Sequence, residues 1–290
     1  MIYQRSTPYF FLAPAVMIIA IAAFYPTLVT VFLSLFDWEL GQKFIQARFV
    51  GFENFTSAIT DQAILYSVGT TLLFAFCVVG CEMILGISLA LALEKPLKGT
   101  AFFRSIFILP IMIAPIVVGL LWRFIFDAEF GSANILLNML GFDDLPWLSN
   151  PNLAFIAIII ADIWQWTPFV FILIFAGLKG VDPSIIEAAK MDRANSLQIL
   201  FRIKLPMLMP VIMVTLLMRL IEAFRVLEVI FIMTFGGPGQ ATEILSMGIY
   251  KIAFIGGELG YASAAAVILL AIVGSLSFVL IRFSNPLKKR

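Results

Sequence analysis

Charged residues are scarce in this sequence. They make up 13% of the 290 residues, whereas hydrophobic residues account for 62%. Soluble domains usually carry about 25% charged residues, because a surface in contact with water needs them. Most of the surface of this chain therefore faces lipid or other apolar protein, and the composition predicts an integral membrane protein.

Histidine is absent and cysteine is rare. The lack of histidine removes the commonest general base, the Ser-His triads and the usual zinc chemistry. Cys77 and Cys81 lie within one apolar run with no third or fourth ligand, and we interpret them as small residues packed between helices. No G-x-x-x-x-G-K-[ST] pattern occurs, so the chain has no P-loop for ATP. We therefore expect no enzymatic activity, no metal and no cofactor in this chain.

Six apolar segments are each long enough to cross a bilayer, which takes about 20 residues in a helix. They are residues 9–36, 66–93, 103–126, 153–178, 207–235 and 260–283. The first segment is far longer than the hydrophobic region of a signal peptide, so we interpret it as a retained span. The predicted fold class is an all-α integral membrane protein with six transmembrane helices.

Basic residues are distributed unevenly between the loops. If the N-terminus lies inside, the cytoplasmic basic residues are Arg5, Lys95, Lys98, Arg104, Lys179, Lys190, Arg193, Arg202, Lys204, Arg282, Lys288, Lys289 and Arg290. The outer basic residues are then Lys43, Arg48 and Lys251. Because positively charged loops stay in the cytoplasm, both termini are predicted to be cytoplasmic. We divide the chain into a first helix with its outer loop (1–65), a transmembrane domain of five helices (66–283) and a basic cytoplasmic tail (284–290).

The cytoplasmic loop 182–206 is predicted to form an amphipathic helix–turn–helix. Asp182 is a candidate N-cap and Pro183 suits the first helical position. Pro206 ends the second amphipathic stretch before the fifth span. The polar face of this loop could bind a partner protein, or the loop could lie on lipid headgroups. The residues themselves leave both alternatives open.

The same loop resembles a motif of a known family. Glu187-Ala188-Ala189, three residues, position 193, nine residues and then Ile203-Lys204-Leu205-Pro206 resembles the E-A-A-x3-G-x9-I-x-L-P motif of binding-protein-dependent ABC importers. The resemblance implies a coupling helix that docks in a cleft of an ATP-hydrolysing subunit. The coupling residues that it implies are Glu187, Ala188, Ala189, Asp192, Arg193, Ile203, Leu205 and Pro206. Arg193 stands where the motif has glycine, and arginine does not readily adopt a positive φ.

Further segments resemble carbohydrate permeases of the MalF/UgpA-like group. They are V-G-F-E-N-F at 50–55, F-R-S at 103–105 with L-P at 109–110, V-V-G-L-L-W at 117–122, T-F-G-G-P-G at 234–239 with Thr242, and G-Y-A-S-A at 260–264. The resemblance covers nearly the whole chain. It implies the MetI-like, type I ABC importer permease fold in a bacterial or archaeal cell (inner) membrane.

The partners implied by this resemblance are a second homologous permease, two subunits that bind ATP and Mg, and an extracytoplasmic solute-binding protein. The implied solute is a sugar, a polyol or a glycerol phosphate. Membrane lipid surrounds the chain, and no nucleic acid is expected as a partner.

The fifth span carries four charged residues: Arg219, Glu222, Arg225 and Glu228. Each charge at mid-membrane costs roughly 2.5–3.5 kcal/mol, against about 0.3–0.6 kcal/mol gained per large apolar residue. This helix therefore cannot face lipid all round. Because the signs alternate at three-residue intervals, the charges can neutralise one another along the helix. They are predicted to form such a packing ladder, or one or two of them contact the substrate.

The fourth span contains the polar and aromatic set Asp162, Trp164, Gln165, Trp166 and Thr167, followed by Pro168. Aromatic faces beside amide and hydroxyl groups suit a sugar, whereas tryptophans at a membrane interface are the alternative. The set lies well inside the outer end of the span, so we predict a substrate pathway along the fourth and fifth spans. Glu82 in the second span is expected to be neutral or paired.

The function predicted from these features is that of a permease subunit in an ATP-driven importer, coupling closure of the ATPase subunits to alternating access. The first alternative is an ion-coupled secondary transporter, which would usually show a longer chain with inverted repeats. The second is an intramembrane enzyme, which would need a Ser/Lys or paired-Asp motif on facing spans.

Overall fold

The fold is mostly helical in the computed structural model, which describes residues 7–94 and 99–284. The α-helices are Thr7–Ile19 (α1), Tyr25–Leu33 (α2), Glu53–Thr60 (α3), Gln62–Ala92 (α4), Thr100–Met112 (α5), Pro115–Ile125 (α6), Ser132–Met139 (α7), Pro151–Lys179 (α8), Pro183–Met191 (α9), Ser196–Ile199 (α10), Leu205–Arg225 (α11), Glu228–Met233 (α12), Leu245–Tyr250 (α13) and Leu259–Ser284 (α14). The π-helical and 3-10 segments are Ala20–Phe24, Phe44–Gln46, Leu200–Lys204 and Lys251–Gly256. Phe36–Asp37 (β1) pairs with Arg48–Phe49 (β2) in an antiparallel hairpin. The predicted tail beyond residue 284, together with Arg5, Lys95 and Lys98, lies outside the described residues.

Five segments of the described chain are long and apolar enough to cross a membrane. They are Phe11–Leu33, Gln62–Ala92, Pro151–Lys179, Ser196–Met233 and Leu259–Arg282. A sixth candidate is the bent pair Ser105–Met112 and Pro115–Ile125. Each of the six predicted spans coincides with one of these segments. The structure therefore confirms the all-α membrane fold class.

The third span is broken, whereas the sequence predicted one continuous helix over 103–126. Its two halves meet at an angle of 104°. Ile113 and Ala114 between them have non-helical backbone conformations, with ψ angles of 133° and 137°. Pro115 explains the break, because its ring disfavours a helical conformation at the preceding residue, Ala114.

The fifth span also differs from the predicted continuous helix. Its helix α11 ends at Arg225, and α12 begins at Glu228 after the non-helical Val226 and Leu227. The carbonyl of Val226 accepts a hydrogen bond of 2.6 Å from the Ser246 hydroxyl. A side chain from a distant segment thus satisfies a backbone group that the break frees, as membrane-embedded backbone requires.

The described residues divide into two compact units. The first contains residues 7–65 and 248–271. Within it, the amide of Asn54 donates hydrogen bonds of 2.9 and 3.0 Å to the carbonyls of Ser34 and Phe36 and so fixes the turn before the hairpin. The backbone N–H of Gly260 donates to the carbonyl of Trp38. A Cβ atom at Gly260 would collide with the backbone of Phe36, so this close approach requires glycine.

The second unit contains residues 66–94, 99–247 and 272–284. Helix α8 lies at its centre, where it packs against α5, α6, α11 and α12. The capping of α8 is local: the Asn150 side chain accepts hydrogen bonds from two N–H groups of the first turn, and Pro151 occupies the first position. The largest buried apolar side chains of this unit are Phe74, Ile158, Phe171, Ile174, Leu208, Phe224, Ile230, Ile244, Leu245 and Met247.

The two cysteines do not share one environment. Cys77 is half-buried, but Cys81 is exposed, and both are free thiols. The expectation that both pack between helices is therefore wrong for Cys81, which no described residue covers.

Candidate functional site

Three charged side chains from three different spans meet in the core of the second unit. Arg219 of α11 donates from Nε to Glu82 Oε2 at 2.5 Å and from Nη2 to Glu82 Oε1 at 2.8 Å. Its Nη2 also donates to Asp162 Oδ2 at 3.0 Å. The side chains of Arg219, Glu82 and Asp162 are only 1%, 0% and 2% exposed. We call these three residues the charged cluster; it ties α4, α8 and α11 together.

The charged cluster corrects the predicted ladder along the fifth span. Arg219 pairs with carboxylates on other helices, so Glu222 is not its partner. Glu222 instead accepts a hydrogen bond of 3.1 Å from Arg225, whose side chain is 68% exposed, whereas that of Glu222 is 41% exposed. The break after Arg225 places Glu228 on α12, off the helical turn that carries Arg225. The expectation that Glu82 is neutral or paired is confirmed by its bidentate contact with Arg219.

The polar and aromatic residues of the fourth span separate onto different faces of α8. Gln165 and Trp166 follow Asp162 by three and four residues, so each neighbours Asp162 on the surface of α8. The guanidinium carbon of Arg219 lies 4.5 Å from the centroid of the Trp166 ring, a cation–π contact. Asp162 and Trp166 thus both belong to the surroundings of Arg219.

Trp164 and Thr167 lie elsewhere on α8. The Trp164 ring packs edge-on against Trp122 of α6, with a centroid distance of 5.8 Å. It is 39% exposed. The Thr167 hydroxyl donates to the carbonyl of Ile163 in its own helix at 2.6 Å. The structure therefore does not bring these two predicted residues to the charged cluster.

Gln165 contacts the broken third span. Its Nε2 donates to the carbonyl of Ile113, at the break between α5 and α6, over 3.3 Å. The side chain is only 2% exposed, and its Oε1 has no hydrogen-bond partner among the described residues. An amide oxygen left buried without a donor is costly, so this atom is suited to accept a hydrogen bond from a molecule that enters the site.

Residues 182–206 form the predicted helix–turn–helix. The side chain of Asp182 accepts a hydrogen bond of 2.9 Å from the N–H of Ser184, which caps α9 as expected. This backbone hydrogen bond, with a second from the Ser184 side chain, holds the pKa of Asp182 below its usual value. Asn195 and Gln198 form a reciprocal capping box at the start of α10.

Arg193 ends α9 in the left-handed conformation, with φ of 59°. Its N–H donates to the carbonyl of Lys190, and the N–H of Ala194 donates to that of Ala189, both at 3.0 Å. These two hydrogen bonds are those of the Schellman motif, which usually places glycine at this position. The arginine therefore preserves the turn that the motif glycine would make.

The surface of the loop combines charged and apolar side chains. Glu187, Ala188, Asp192, Arg193 and Pro206 are exposed, whereas Ala189 is buried and Ile203 and Leu205 are half-buried. The most exposed apolar side chains of the loop are Met191, Leu197 and Phe201. An exposed apolar surface bordered by charges is typical of a protein or membrane contact.

Another ion pair, missed in the sequence, joins this loop to the ends of two spans. Lys204 forms an ion pair with the carboxylate of Glu94, which follows α4. Lys179, at the end of α8, donates to the backbone carbonyl of Glu94 at 3.1 Å. Both partners of the ion pair are mostly buried, with side chains 17% and 27% exposed. Only the isolated acidic residue before the basic segment 95–98 could have signalled this contact.

Comparisons with known proteins agree with this architecture. The family model of the binding-protein-dependent transport system inner membrane component matches residues 82–290. The trehalose/maltose transport system permease protein MalF of Thermococcus litoralis is 34% identical over 280 residues, covering 96% of this chain and 94% of the relative. The sn-glycerol-3-phosphate transport system permease protein UgpA of Brucella abortus is 33% identical over 282 residues, covering 97% and 95%.

The fold is similar to that of a solved transporter. A chain of the bacterial alginate ABC transporter, in complex with an alginate pentasaccharide-bound periplasmic protein, superposes with a TM-score of 0.82 over 97% of this chain and 94% of that chain, at 24% sequence identity. The family match, the full-length relatives and the shared fold have one explanation: this chain belongs to the family of binding-protein-dependent transport system inner membrane components, the permease subunits of ABC importers.

Proposed function

We propose that this permease subunit carries a sugar, polyol or glycerol-phosphate-like solute along a path between α4, α8 and α11. The supporting observation is the charged cluster, because ionisable groups buried within membrane spans are costly and are usually functional. The relatives named for trehalose/maltose and for sn-glycerol 3-phosphate suggest the same solute class. The pathway residues are Asp162, Gln165, Trp166 and Arg219, with Trp164, Thr167, Glu222, Arg225 and Glu228 as the remaining candidates.

The cytoplasmic loop is proposed to dock on an ATPase subunit. Its exposed surface combines acidic Glu187 and Asp192 with basic and apolar side chains, and this mixture favours a protein partner over lipid headgroups. ATP and Mg, held by two partner subunits, supply the free energy for transport. The chain itself transmits the movement, through Arg193 at the turn and Lys204 at the contact with Glu94.

The complete transporter is proposed to contain a second permease, two ATP-binding subunits and an extracytoplasmic solute-binding protein. The similarity to a transporter crystallised with a periplasmic protein supports this composition. The bias of basic residues supports cytoplasmic termini. The comparisons lend no support to an ion-coupled transporter.

Charge reversal at Glu187 tests this proposal. Glu187 is exposed on α9, so Glu187→Arg should leave insertion and folding intact while abolishing both uptake and the ATPase activity stimulated by loaded binding protein. Glu53→Arg, the same substitution at an exposed residue of the outer loop, is the matched control for expression. Normal stimulated ATPase activity in Glu187→Arg would contradict the docking role. Uptake that follows an ion gradient without ATP would contradict the function as a whole.

A further inference from the structure

The charged cluster contains more negative than positive groups. Arg219 faces two carboxylates, those of Glu82 and Asp162, and all three side chains are nearly inaccessible. With both carboxylates ionised the cluster carries one net negative charge, and with one proton bound it is neutral. In neither state does the cluster offer a net positive charge to a solute.

The guanidinium of Arg219 is already engaged on several sides. Nε and Nη2 donate to the two carboxylates, and the Trp166 ring covers one face of the planar group. Binding of a phosphate or carboxylate usually relies on paired N–H donors of such a group. Here Glu82 and Asp162 already occupy Nε and Nη2.

A further buried polar atom beside the cluster, Gln165 Oε1, is an acceptor. Gln165 lies one turn from Asp162, and its buried Oε1 lacks a donor among the described residues. A hydroxyl group of a solute can donate to this oxygen. An anionic group can only accept, so it would leave Gln165 Oε1 unpaired and would also be repelled by the carboxylates.

Two other cations of the neighbouring helices lie outside the buried cluster. Arg225 is 68% exposed and bonds to Glu222. Arg123 of α6 is exposed and donates to the carbonyl of Ile232 at 3.1 Å. Neither compensates the excess of acceptors around Asp162 and Gln165.

We propose that the site formed by Glu82, Asp162, Gln165 and Arg219 admits neutral polyhydroxy solutes and discriminates against anionic ones such as sugar acids and polyol phosphates. This proposal rests on the pathway proposed above and narrows its solute class. Asp162 sets the charge selection, and Gln165 accepts a solute hydroxyl.

The test compares matched neutral and anionic solutes on the assembled transporter in proteoliposomes. Glucose is paired with glucuronate, and glycerol with sn-glycerol 3-phosphate. Each is added on the cytoplasmic side, where it reaches the pathway without the binding protein, and inhibition of the stimulated ATPase activity is measured. At an effective dielectric constant of about 20, a carboxylate about 6 Å from an anionic solute weakens the binding of that solute about 100-fold. Water bound near the site weakens this repulsion. We therefore expect the neutral solute of each pair to inhibit at a concentration about tenfold or more below that of the anionic solute.

Two variants test whether residues of this site cause the discrimination between neutral and anionic solutes. Asp162→Asn keeps the bidentate contact between Arg219 and Glu82, and it should reduce the difference between neutral and anionic solutes about tenfold. Gln165→Leu should weaken inhibition by the neutral solute alone. Glu53→Gln, which removes a carboxylate from the outer loop, should leave both affinities unchanged.

Several results would overturn the proposal. Equal inhibition by both members in the wild-type transporter, or stronger inhibition by the anion, would refute the solute class while leaving the ATP-driven import function intact. If the ratio of the inhibitory concentrations of the anionic and neutral solutes is unchanged in Asp162→Asn, other residues discriminate between these solutes. A wild-type transporter that responds to neither member would remove the cluster from the pathway, although stimulated ATPase activity would still support the importer. Because the wild-type comparison needs no substitution, the proposal can be refuted even if a variant fails to assemble.

Discussion

Replacing Arg219 by leucine should destabilise the folded chain more than replacing either of its carboxylate partners. Arg219→Leu removes three hydrogen bonds and leaves Glu82 and Asp162 facing each other at 0% and 2% exposure. Removing one partner of a buried ion pair costs about 3–5 kcal/mol, because the remaining charge is left uncompensated. Because two carboxylates are left without a cation, we expect the free energy of unfolding to fall by about 5 kcal/mol, the upper end of this range.

The two carboxylate variants should be milder and unequal. Glu82→Leu removes two hydrogen bonds and leaves one carboxylate beside Arg219, whereas Asp162→Leu removes one and keeps the bidentate pair. Hydrogen bonds to charged groups contribute about 1.5–3 kcal/mol each. We therefore expect a loss of about 4 kcal/mol for Glu82→Leu and about 2 kcal/mol for Asp162→Leu. The triple leucine variant should recover much of the loss, since replacing a complete buried ion cluster by apolar residues is often close to neutral.

The assay is the midpoint of thermal unfolding of the purified complex, followed by size-exclusion chromatography after heating, with expression level as a second measure. Exposed Arg225→Leu provides the control for loss of an arginine from the same helix, and it should change the midpoint little. Strictly additive losses in the triple variant would refute the reasoning, since they would show that the three side chains do not compensate one another. A larger loss for Asp162→Leu than for Arg219→Leu would do the same.

Two further predictions concern the loop 182–206. Arg193→Gly should stabilise the end of α9 by up to about 1 kcal/mol, because a left-handed residue with a side chain costs roughly 1–2 kcal/mol and the greater freedom of unfolded glycine offsets part of this. Slower amide hydrogen exchange across the turn would show it, and faster exchange would contradict it. Lys204→Met and Glu94→Gln should each lower the stimulated ATPase activity, because each breaks the ion pair between these two residues. The double variant should be no less active than either single variant. A double-mutant cycle on this activity should therefore give a coupling energy of about 1 kcal/mol. Independent, additive losses would mean that this ion pair does not link the loop to α4.

Features that depend on neighbouring residues could be predicted from the sequence. The positions of the six spans follow from the length of the apolar segments, because lipid selects for each segment separately. The start of α9 at Asp182 and Pro183 is equally local. The break of the third span was missed, although Pro115 carried a signal for it. The break after Arg225 had no such signal, since no proline or glycine lies there and Ser246 supplies the compensating hydrogen bond from a distant position.

The sequence by itself thus determined which segments enter the membrane, which loop carries the E-A-A-like motif and that charges lie inside the fifth span. Only the tertiary structure decided which charges meet. The spacing of Arg219 and Glu222 favoured a pair along one helix, yet burial against α4 and α8 gave Arg219 two carboxylates from other spans. The tertiary structure also places the Trp166 ring over this guanidinium, whereas the Trp164 ring packs against Trp122. The physical reason is that a helical period defines the faces of one helix, whereas the partner of a buried charge depends on which helices pack together and on the cost of leaving that charge unpaired.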